Sequence, residues 1–123
     1  MKLILLIGIG GFIGSVSRYL LSLGIQNKFL STFPYGTLSV NIIGCFLIGI
    51  VYALSDRGNV TVEWRLFLAT GILGGFTTFS SFSNETVSML RDAQYFYAFL
   101  YVSSSVLLGL LATFFGVFLI KLF

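Results

Sequence analysis

Four long runs of apolar residues, separated by short polar stretches, make up most of the chain. A helix needs about 20 apolar residues to cross the hydrocarbon core of a bilayer. Runs of this length cover residues 3–25, 33–54, 64–90 and 94–120. Charged residues collect between the runs, and Pro34 stands where the second begins, a place that suits its fixed φ. The pattern predicts an all-α membrane protein, a single domain of four transmembrane helices over residues 1–123.

Composition narrows the function classes. Hydrophobic residues make up 57% of the 123 positions and charged residues 9%, whereas a soluble domain carries about 25% charged residues. A soluble enzyme and a disordered segment are therefore excluded. There is no histidine and one cysteine, Cys45, so a disulfide framework, a zinc site and a Cys/His catalytic pair within one chain are excluded as well. The net charge of +3 is too small and too scattered to indicate nucleic-acid binding.

Positive charge is distributed almost evenly between the two faces of the membrane. With four spans, one face carries both termini and the second connector, and its cations are Lys2, Arg57, Arg65 and Lys121. The cations of the other face are Lys28, Arg91 and, if its side chain reaches outward, Arg18. Four cations on one face against three on the other are a weak bias under the positive-inside rule. Two interpretations stay open: a small protein with few charges, or a dual topology in which copies insert both ways and pair as an antiparallel homodimer. Four thin helices can hardly enclose a polar pathway alone, which favours the dimer.

Polar residues inside the first two runs are candidates for function, because lipid disfavours them. Gly10 and Gly14 have the spacing of a close helix-packing surface, which also motivates the dimer. Arg18 is either an interface anchor that snorkels or part of an electropositive vestibule for anions. Thr37 and Asn41 share a helix face. The Asn41 amide stands among apolar residues and needs a partner, either a neighbouring helix or a desolvated anion.

The third run has the most unusual composition. Residues 71–83 read Gly-Ile-Leu-Gly-Gly-Phe-Thr-Thr-Phe-Ser-Ser-Phe-Ser, and mid-membrane glycines followed by hydroxyls favour a helix broken near its middle. Broken backbone at this depth is tolerated where it lines a cavity or an ion site. Phe79 and Phe82 lie on one face, where they either pack or turn their positive ring edges to an anion. Glu85 closes the run, as a solvated end residue or as part of the polar region.

The fourth run carries small or polar residues at every fourth position. They are Tyr101, Ser105, Gly109 and Thr113. This spacing places them on one helix face. A single hydroxyl can bond back to its own helix, but the stripe as a set is typical of the wall of a polar track.

Three segments resemble the signatures of the Fluc or CrcB family of small fluoride channels. They are Gly-Gly-Phe-Ile-Gly-Ser-Val-Ser-Arg-Tyr at 10–19, Phe-Pro-Tyr-Gly-Thr-Leu-Ser-Val-Asn-Ile-Ile-Gly at 33–44, and Gly-Ile-Leu-Gly-Gly-Phe-Thr-Thr-Phe-Ser-Ser-Phe at 71–82. The resemblance covers the whole chain in order. It implies a dual-topology, antiparallel homodimer with two fluoride pores and a structural sodium ion (Na+) at its centre. The implied function is passive, fluoride-specific efflux across the bacterial plasma (inner) membrane, which is not an enzyme activity.

The resemblance also assigns roles to individual residues. The residues implied in the fluoride path are Asn41, Phe79 and Phe82, with Tyr101 and Ser105 as its polar track and Thr37 and Ser81 nearby. The backbone carbonyls of Gly74 and Thr77, one set from each subunit, are implied to hold the sodium ion. Arg18 matches a vestibule arginine and Glu85 a glutamate at the pore end. Gly109 stands where a hydroxyl is often found, which leaves the length of the track open.

Two other functions compete with fluoride conduction. A small multidrug-type, proton-coupled cation exporter also has four spans and dual topology, but it uses a membrane-embedded glutamate in its first span, and this first run contains no acid. In a non-conducting membrane assembly subunit, the polar stripes would serve helix packing alone. Fluoride, a second copy of the chain and the lipid bilayer are therefore the expected partners.

Overall fold

The computed structural model describes all 123 residues and is helical almost throughout. Its elements are α1 (Lys2–Gln26), α2 (Tyr35–Asp56), α3 (Val62–Arg65), a π-helix (Leu66–Leu73), α4 (Gly74–Phe76), α5 (Phe79–Arg91) and α6 (Tyr95–Leu122). Four stretches are long and apolar enough to cross a membrane, namely Lys2–Gln26, Tyr35–Asp56, Val62–Arg91 and Tyr95–Leu122. The prediction of four membrane-capable helices is confirmed. Pro34 lies just before α2 and caps it, since its carbonyl accepts the Leu38 N–H at 3.1 Å.

The third span, Val62–Arg91, is interrupted, as the sequence predicts. The glycine pair is not itself the break, because Gly74 keeps helical angles (φ −62°, ψ −37°). The chain becomes extended at Thr77 (ψ 156°) and Thr78 (φ −149°, ψ 117°). Helix α5 then restarts on a threonine cap, in which Thr78 Oγ1 accepts the Ser81 N–H at 3.1 Å. We call Thr77 and Thr78 the break.

The eight-residue π-helix before the break was not predicted. Its sequence, Leu66 to Leu73, reads as an ordinary apolar helix, and nothing in its composition distinguishes i→i+5 from i→i+4 hydrogen bonding. π-Helical turns are rare and are frequently found at functional sites. Here the π-helix leads through α4 directly to the break.

Gly10 and Gly14 are packing residues within the chain. A Cβ at Gly10 would lie 2.7 Å from the Phe67 carbonyl oxygen and 2.9 Å from the Gly71 Cα, and one at Gly14 would collide with the Ile72 carbonyl. This surface therefore lets α1 approach the backbone of the third span. It is occupied by the chain itself and no longer supports the dimer.

Helices α2 and α6 also pack backbone to backbone. A Cβ at Gly49 would collide with the Thr113 carbonyl, and one at Gly116 with the Phe46 carbonyl. The Thr113 hydroxyl donates to the carbonyls of Cys45 at 3.0 Å and Gly109 at 3.2 Å. Thr113 thus joins two helices and does not extend the predicted polar track beyond Gly109.

One side chain holds the turn between α1 and α2. The Gln26 amide nitrogen donates to the carbonyls of Ser31 at 3.1 Å and Phe33 at 3.0 Å, and its oxygen accepts the Gly36 N–H at 3.0 Å. The Phe33 ring is buried against Tyr101, with ring centroids 5.5 Å apart. Gln26 therefore sets where α2 begins and which part of α6 it faces.

Candidate functional site

Two cavities meet at the break in the third span. The polar cavity, of about 580 Å³, has twelve lining residues, of which three are hydrophobic, and includes Arg18, Thr37, Ser81 and Glu85. The inner cavity, of about 400 Å³, is lined in part by Asn41, Gly74, Thr77, Phe79, Phe82 and Ser105. Thr78 lines both cavities. The break therefore lies between a cavity with polar and charged walls and one with mostly apolar walls.

Asn41 holds the break open. Its amide nitrogen donates to the Thr78 carbonyl at 3.1 Å, and its oxygen accepts the Thr78 N–H at 2.8 Å. In a continuous helix that N–H would donate to the carbonyl four residues earlier, at Gly74. The amide therefore replaces the bonds that the backbone loses at Thr78. An amide nitrogen carries two hydrogens, so one remains for a further acceptor in the inner cavity.

Glu85 joins three helices beside the polar cavity. Its carboxylate accepts the Thr37 hydroxyl at 2.6 Å and the Tyr101 hydroxyl at 2.9 Å. Tyr101 is fully buried, at 0% exposure, and lines neither cavity. Glu85 is thus not simply a solvated end residue. Tyr101 contacts cavity-lining residues only through this carboxylate and through its ring, whose centroid lies 5.1 Å from the centroid of the Phe82 ring.

Arg18 points toward the break. Its Nη1 atom donates to the Thr77 carbonyl oxygen at 3.4 Å, at the long end of hydrogen-bond distances, and its side chain lines the polar cavity. The guanidinium is therefore directed toward the third span, and its role as vestibule or anchor stays a prediction. The polar cavity thus has a guanidinium on one wall and the Glu85 carboxylate on another.

The inner cavity combines aromatic rings with an unpaired hydroxyl. The ring centroids of Phe79 and Phe82 are 5.5 Å apart, with their planes tilted by 48°. The Ser105 hydroxyl oxygen is buried and has no hydrogen-bond partner. A buried polar group without a partner is rare and costly, so this hydroxyl needs an explanation that the single chain does not supply.

The structure brings most of the predicted site residues to the two cavities. Thr37, Ser81, Arg18 and Glu85 lie at the polar cavity, and the other predicted residues except Tyr101 lie at the inner one. Sequence reasoning missed Thr78, the residue shared by both. A signal was present, because a threonine three residues before Ser81 in a run of hydroxyls is typical of a helix N-cap.

No group of three or more His, Cys, Asp or Glu side chains is arranged to hold a metal ion. Gly74 and Thr77 are the residues predicted to hold a cation, through their backbone carbonyls. Both residues line the inner cavity.

Comparison with known proteins identifies the family. The family model described as "CrcB-like protein, Camphor Resistance (CrcB)" matches residues 5–117. The fluoride-specific ion channel FluC of Chlorobium phaeobacteroides is 50% identical over 121 residues, covering 97% of this chain and 93% of that protein. The protein of the same name from Flavobacterium psychrophilum is 47% identical and covers 98% of this chain and 98% of its own length. The one from Phocaeicola vulgatus is also 47% identical and covers 95% of this chain and 97% of its own length. The chain, a multi-pass protein of the plasma membrane, therefore belongs to the CrcB family.

Proposed function

We propose that the protein is a passive, fluoride-specific ion channel that lowers fluoride in the cytoplasm. The observation that carries this proposal is the buried Ser105 hydroxyl, which has no partner in a cavity edged by two phenylalanine rings. The relatives described above bear the name of fluoride-specific ion channels, which supports the same function.

The inner cavity offers the groups that a small, strongly hydrated anion needs in place of water. The Ser105 hydroxyl and the free N–H of Asn41 are hydrogen-bond donors. The edges of aromatic rings are positive, so the rings of Phe79 and Phe82 can turn these edges toward an anion in the inner cavity. Chloride is larger and a poorer hydrogen-bond acceptor, so the same groups compensate its dehydration less well. We infer that selectivity arises here.

Passive conduction is sufficient for export. Hydrogen fluoride is a weak acid that crosses lipid in its neutral form, ionises in a less acidic cytoplasm and is trapped there as fluoride. A membrane potential that is negative inside drives an anion outward with about 2.3 kcal/mol per charge for each 100 mV. A selective open path therefore lowers internal fluoride without ATP or a coupled proton, and the protein acts as a channel and not as an enzyme.

We propose that the working channel is an antiparallel homodimer of dual-topology subunits. Phe79 lines the inner cavity although its side chain is 79% exposed in the single chain, so the cavity is open on that side. Polar groups such as Asn41 and Ser105 are costly when they face hydrocarbon. A second copy would close the cavity, and the nearly even charge of the two faces suits insertion in both orientations.

Accessibility of a tag at the carboxy terminus tests this arrangement. Impermeant labelling of intact and permeabilised cells is expected to find the tag on both sides of the membrane. A tag that is accessible from one side only would contradict dual topology.

We propose that Gly74 and Thr77 hold a structural sodium ion through their carbonyl oxygens. The Thr78 and Ser81 N–H groups, which would bond these carbonyls in a continuous helix, donate instead to Asn41 Oδ1 and Thr78 Oγ1. Oxygen donors suit hard cations. A carbonyl has two lone pairs, so the Thr77 oxygen can accept Arg18 and still face a cation. One chain offers two carbonyls, and a second copy would complete the set.

When bound, the ion would place a positive charge between the breaks of the two subunits and hold those breaks at a set distance. Within each subunit, Asn41 keeps the break open. An experimental dimer structure in sodium is expected to show density on the twofold axis near Gly74 and Thr77. An axis on which every one of these carbonyls bonds to protein alone would contradict the sodium proposal.

Fluoride efflux from liposomes that contain the purified protein tests the proposed function. We expect rapid fluoride loss, no chloride loss, and no proton-driven uptake of a cationic drug. Drug uptake would support the multidrug-type exporter, although α1 carries no acidic residue. Liposomes that retain all three solutes while the protein is folded would support a non-conducting assembly subunit.

A further inference from the structure

A third cavity lies at the other end of the bundle from the polar cavity. It has a volume of about 280 Å³ and is lined by Lys2, Leu6, Glu63, Trp64 and Phe67. Lys2 begins α1, whereas Arg18 of the polar cavity lies 16 residues later on the same helix, or about 24 Å at 1.5 Å per residue. This cavity, which we call the end cavity, is therefore separate from the proposed ion pathway.

The end cavity has opposite charges on its walls that do not satisfy each other. Lys2 and Glu63 both line it, but they form no ion pair, since the Lys2 ammonium nitrogen lies more than 4.0 Å from the Glu63 carboxylate oxygens. Neither side chain takes part in a hydrogen bond that spans the cavity. Its positive and negative groups are therefore both available to a ligand that carries one charge of each sign.

The remaining walls place the end cavity at the surface of the bilayer. Trp64 is 58% exposed and its ring packs edge-on against Phe67, with centroids 5.8 Å apart. Tryptophan is enriched where the hydrocarbon meets the headgroups. Leu6 and Phe67 lie one turn deeper along α1 and the third span and give the cavity an apolar side. Charged groups above an apolar wall match the order of groups in a phospholipid.

We propose that the end cavity binds the headgroup of a zwitterionic phospholipid that carries a primary ammonium. The lipid phosphate would lie against Lys2, the ammonium would donate to Glu63, and the acyl chains would follow Leu6 and Phe67 into the bilayer. The volume is just below the roughly 300–1,000 Å³ of typical ligand pockets, which suits a headgroup and not a whole lipid. An anionic headgroup would meet Lys2 but would be repelled by Glu63.

Lipid binding to the intact purified protein, counted by native mass spectrometry, tests this site. The probes are phosphatidylethanolamine, phosphatidylcholine and phosphatidylglycerol with identical acyl chains. The quaternary ammonium of phosphatidylcholine cannot donate a hydrogen bond, so we expect phosphatidylethanolamine to bind more tightly than either of the others. An exposed ion pair predicts a preference of about twofold to fivefold.

Two variants and a control assign the preference to the cavity. Glu63→Gln is expected to abolish the preference for phosphatidylethanolamine over phosphatidylcholine, and Lys2→Gln to weaken binding of all three lipids. Asp92→Asn, which removes a charge from the connector at the other end of the bundle, is expected to change neither. Equal binding of the three lipids by the unaltered protein, tighter binding of phosphatidylglycerol, or a preference that survives Glu63→Gln would each overturn the proposal. The readout counts lipids and does not depend on fluoride flux.

Discussion

Ser105 and Thr113 lie on the same face of α6, but their hydroxyl groups have opposite roles in this structure. The Ser105 hydroxyl has no partner, whereas that of Thr113 donates to the carbonyls of Cys45 and Gly109. Ser105→Ala therefore removes a group that no protein atom uses, and Thr113→Val removes a bond between helices while keeping the shape of the side chain. We expect the first change to slow fluoride flux and the second to lower stability.

The magnitudes follow from the type of bond that each change removes. A hydrogen bond to a charged group is worth about 1.5–3 kcal/mol. If fluoride loses such a bond at the transport barrier, Ser105→Ala slows flux about 10- to 150-fold. Its effect on the free energy of unfolding is expected to be neutral or stabilising, because no protein bond is lost and a buried hydroxyl without a partner is removed. Thr113→Val is expected to cost about 0.6 kcal/mol, as for other bonds between membrane helices, with flux unchanged.

The assay pairs two measurements on each variant. Initial rates of fluoride efflux are taken at equal protein per liposome, and unfolding is followed by denaturant titration in mixed micelles. Thr113→Val is the matched control for Ser105→Ala, since each change removes one hydroxyl from the same helix face. If Ser105→Ala leaves flux intact while lowering stability as much as Thr113→Val does, the hydroxyl is a packing group and the reasoning is refuted.

Three further predictions follow from the contacts described above. Phe79→Ile and Phe82→Ile keep most of the apolar volume but remove the positive ring edge. Each is expected to slow fluoride efflux at least tenfold, which corresponds to about 1.4 kcal/mol added to the transport barrier. Undiminished flux from folded protein would show that both rings only pack. Gln26→Leu removes the three hydrogen bonds of the turn before α2 and is expected to lower fluoride-over-chloride selectivity in liposome flux, which an unaltered ratio would contradict. Gly14→Ala places a Cβ against the Ile72 carbonyl and is expected to cost about 1–3 kcal/mol of stability. The control Gly24→Ala, where no atom lies within 4 Å of the new Cβ, is expected to cost nothing. Equal stabilities of the two variants in the same unfolding titration would refute the close packing.

The four helices were predictable because lipid imposes a minimum length of apolar sequence on each span. The break was predictable because a glycine pair followed directly by a run of hydroxyls favours a broken helix that lines a cavity or an ion site. Its position was not, because Gly74 tolerates helical angles and the conformation is decided by Asn41, which lies 37 positions from Thr78 in sequence and pairs with both of its backbone groups. A single sequence does not reveal such a long-range pairing.

The candidate site was predictable as a set of residue types and less so as a set of contacts. Four-residue spacing placed Thr37 and Asn41 on one face, but it did not show that Thr37 faces Glu85 or that Asn41 clamps the break. The same spacing grouped Ser105 with Thr113, although only one hydroxyl is free. Periodicity gives the direction of a side chain, whereas the neighbouring helix decides whether that direction leads to a partner or to a cavity.

The reversal potential of a reconstituted bilayer tests the central claim most directly. With fluoride at different concentrations on the two sides and chloride in the opposite gradient, a passive fluoride-specific pathway must reverse at the fluoride equilibrium potential. We predict a shift of about 59 mV for each tenfold change in the fluoride ratio, independent of chloride and of a pH gradient. A reversal potential that follows chloride, or one that moves with the proton gradient, would contradict selective passive conduction.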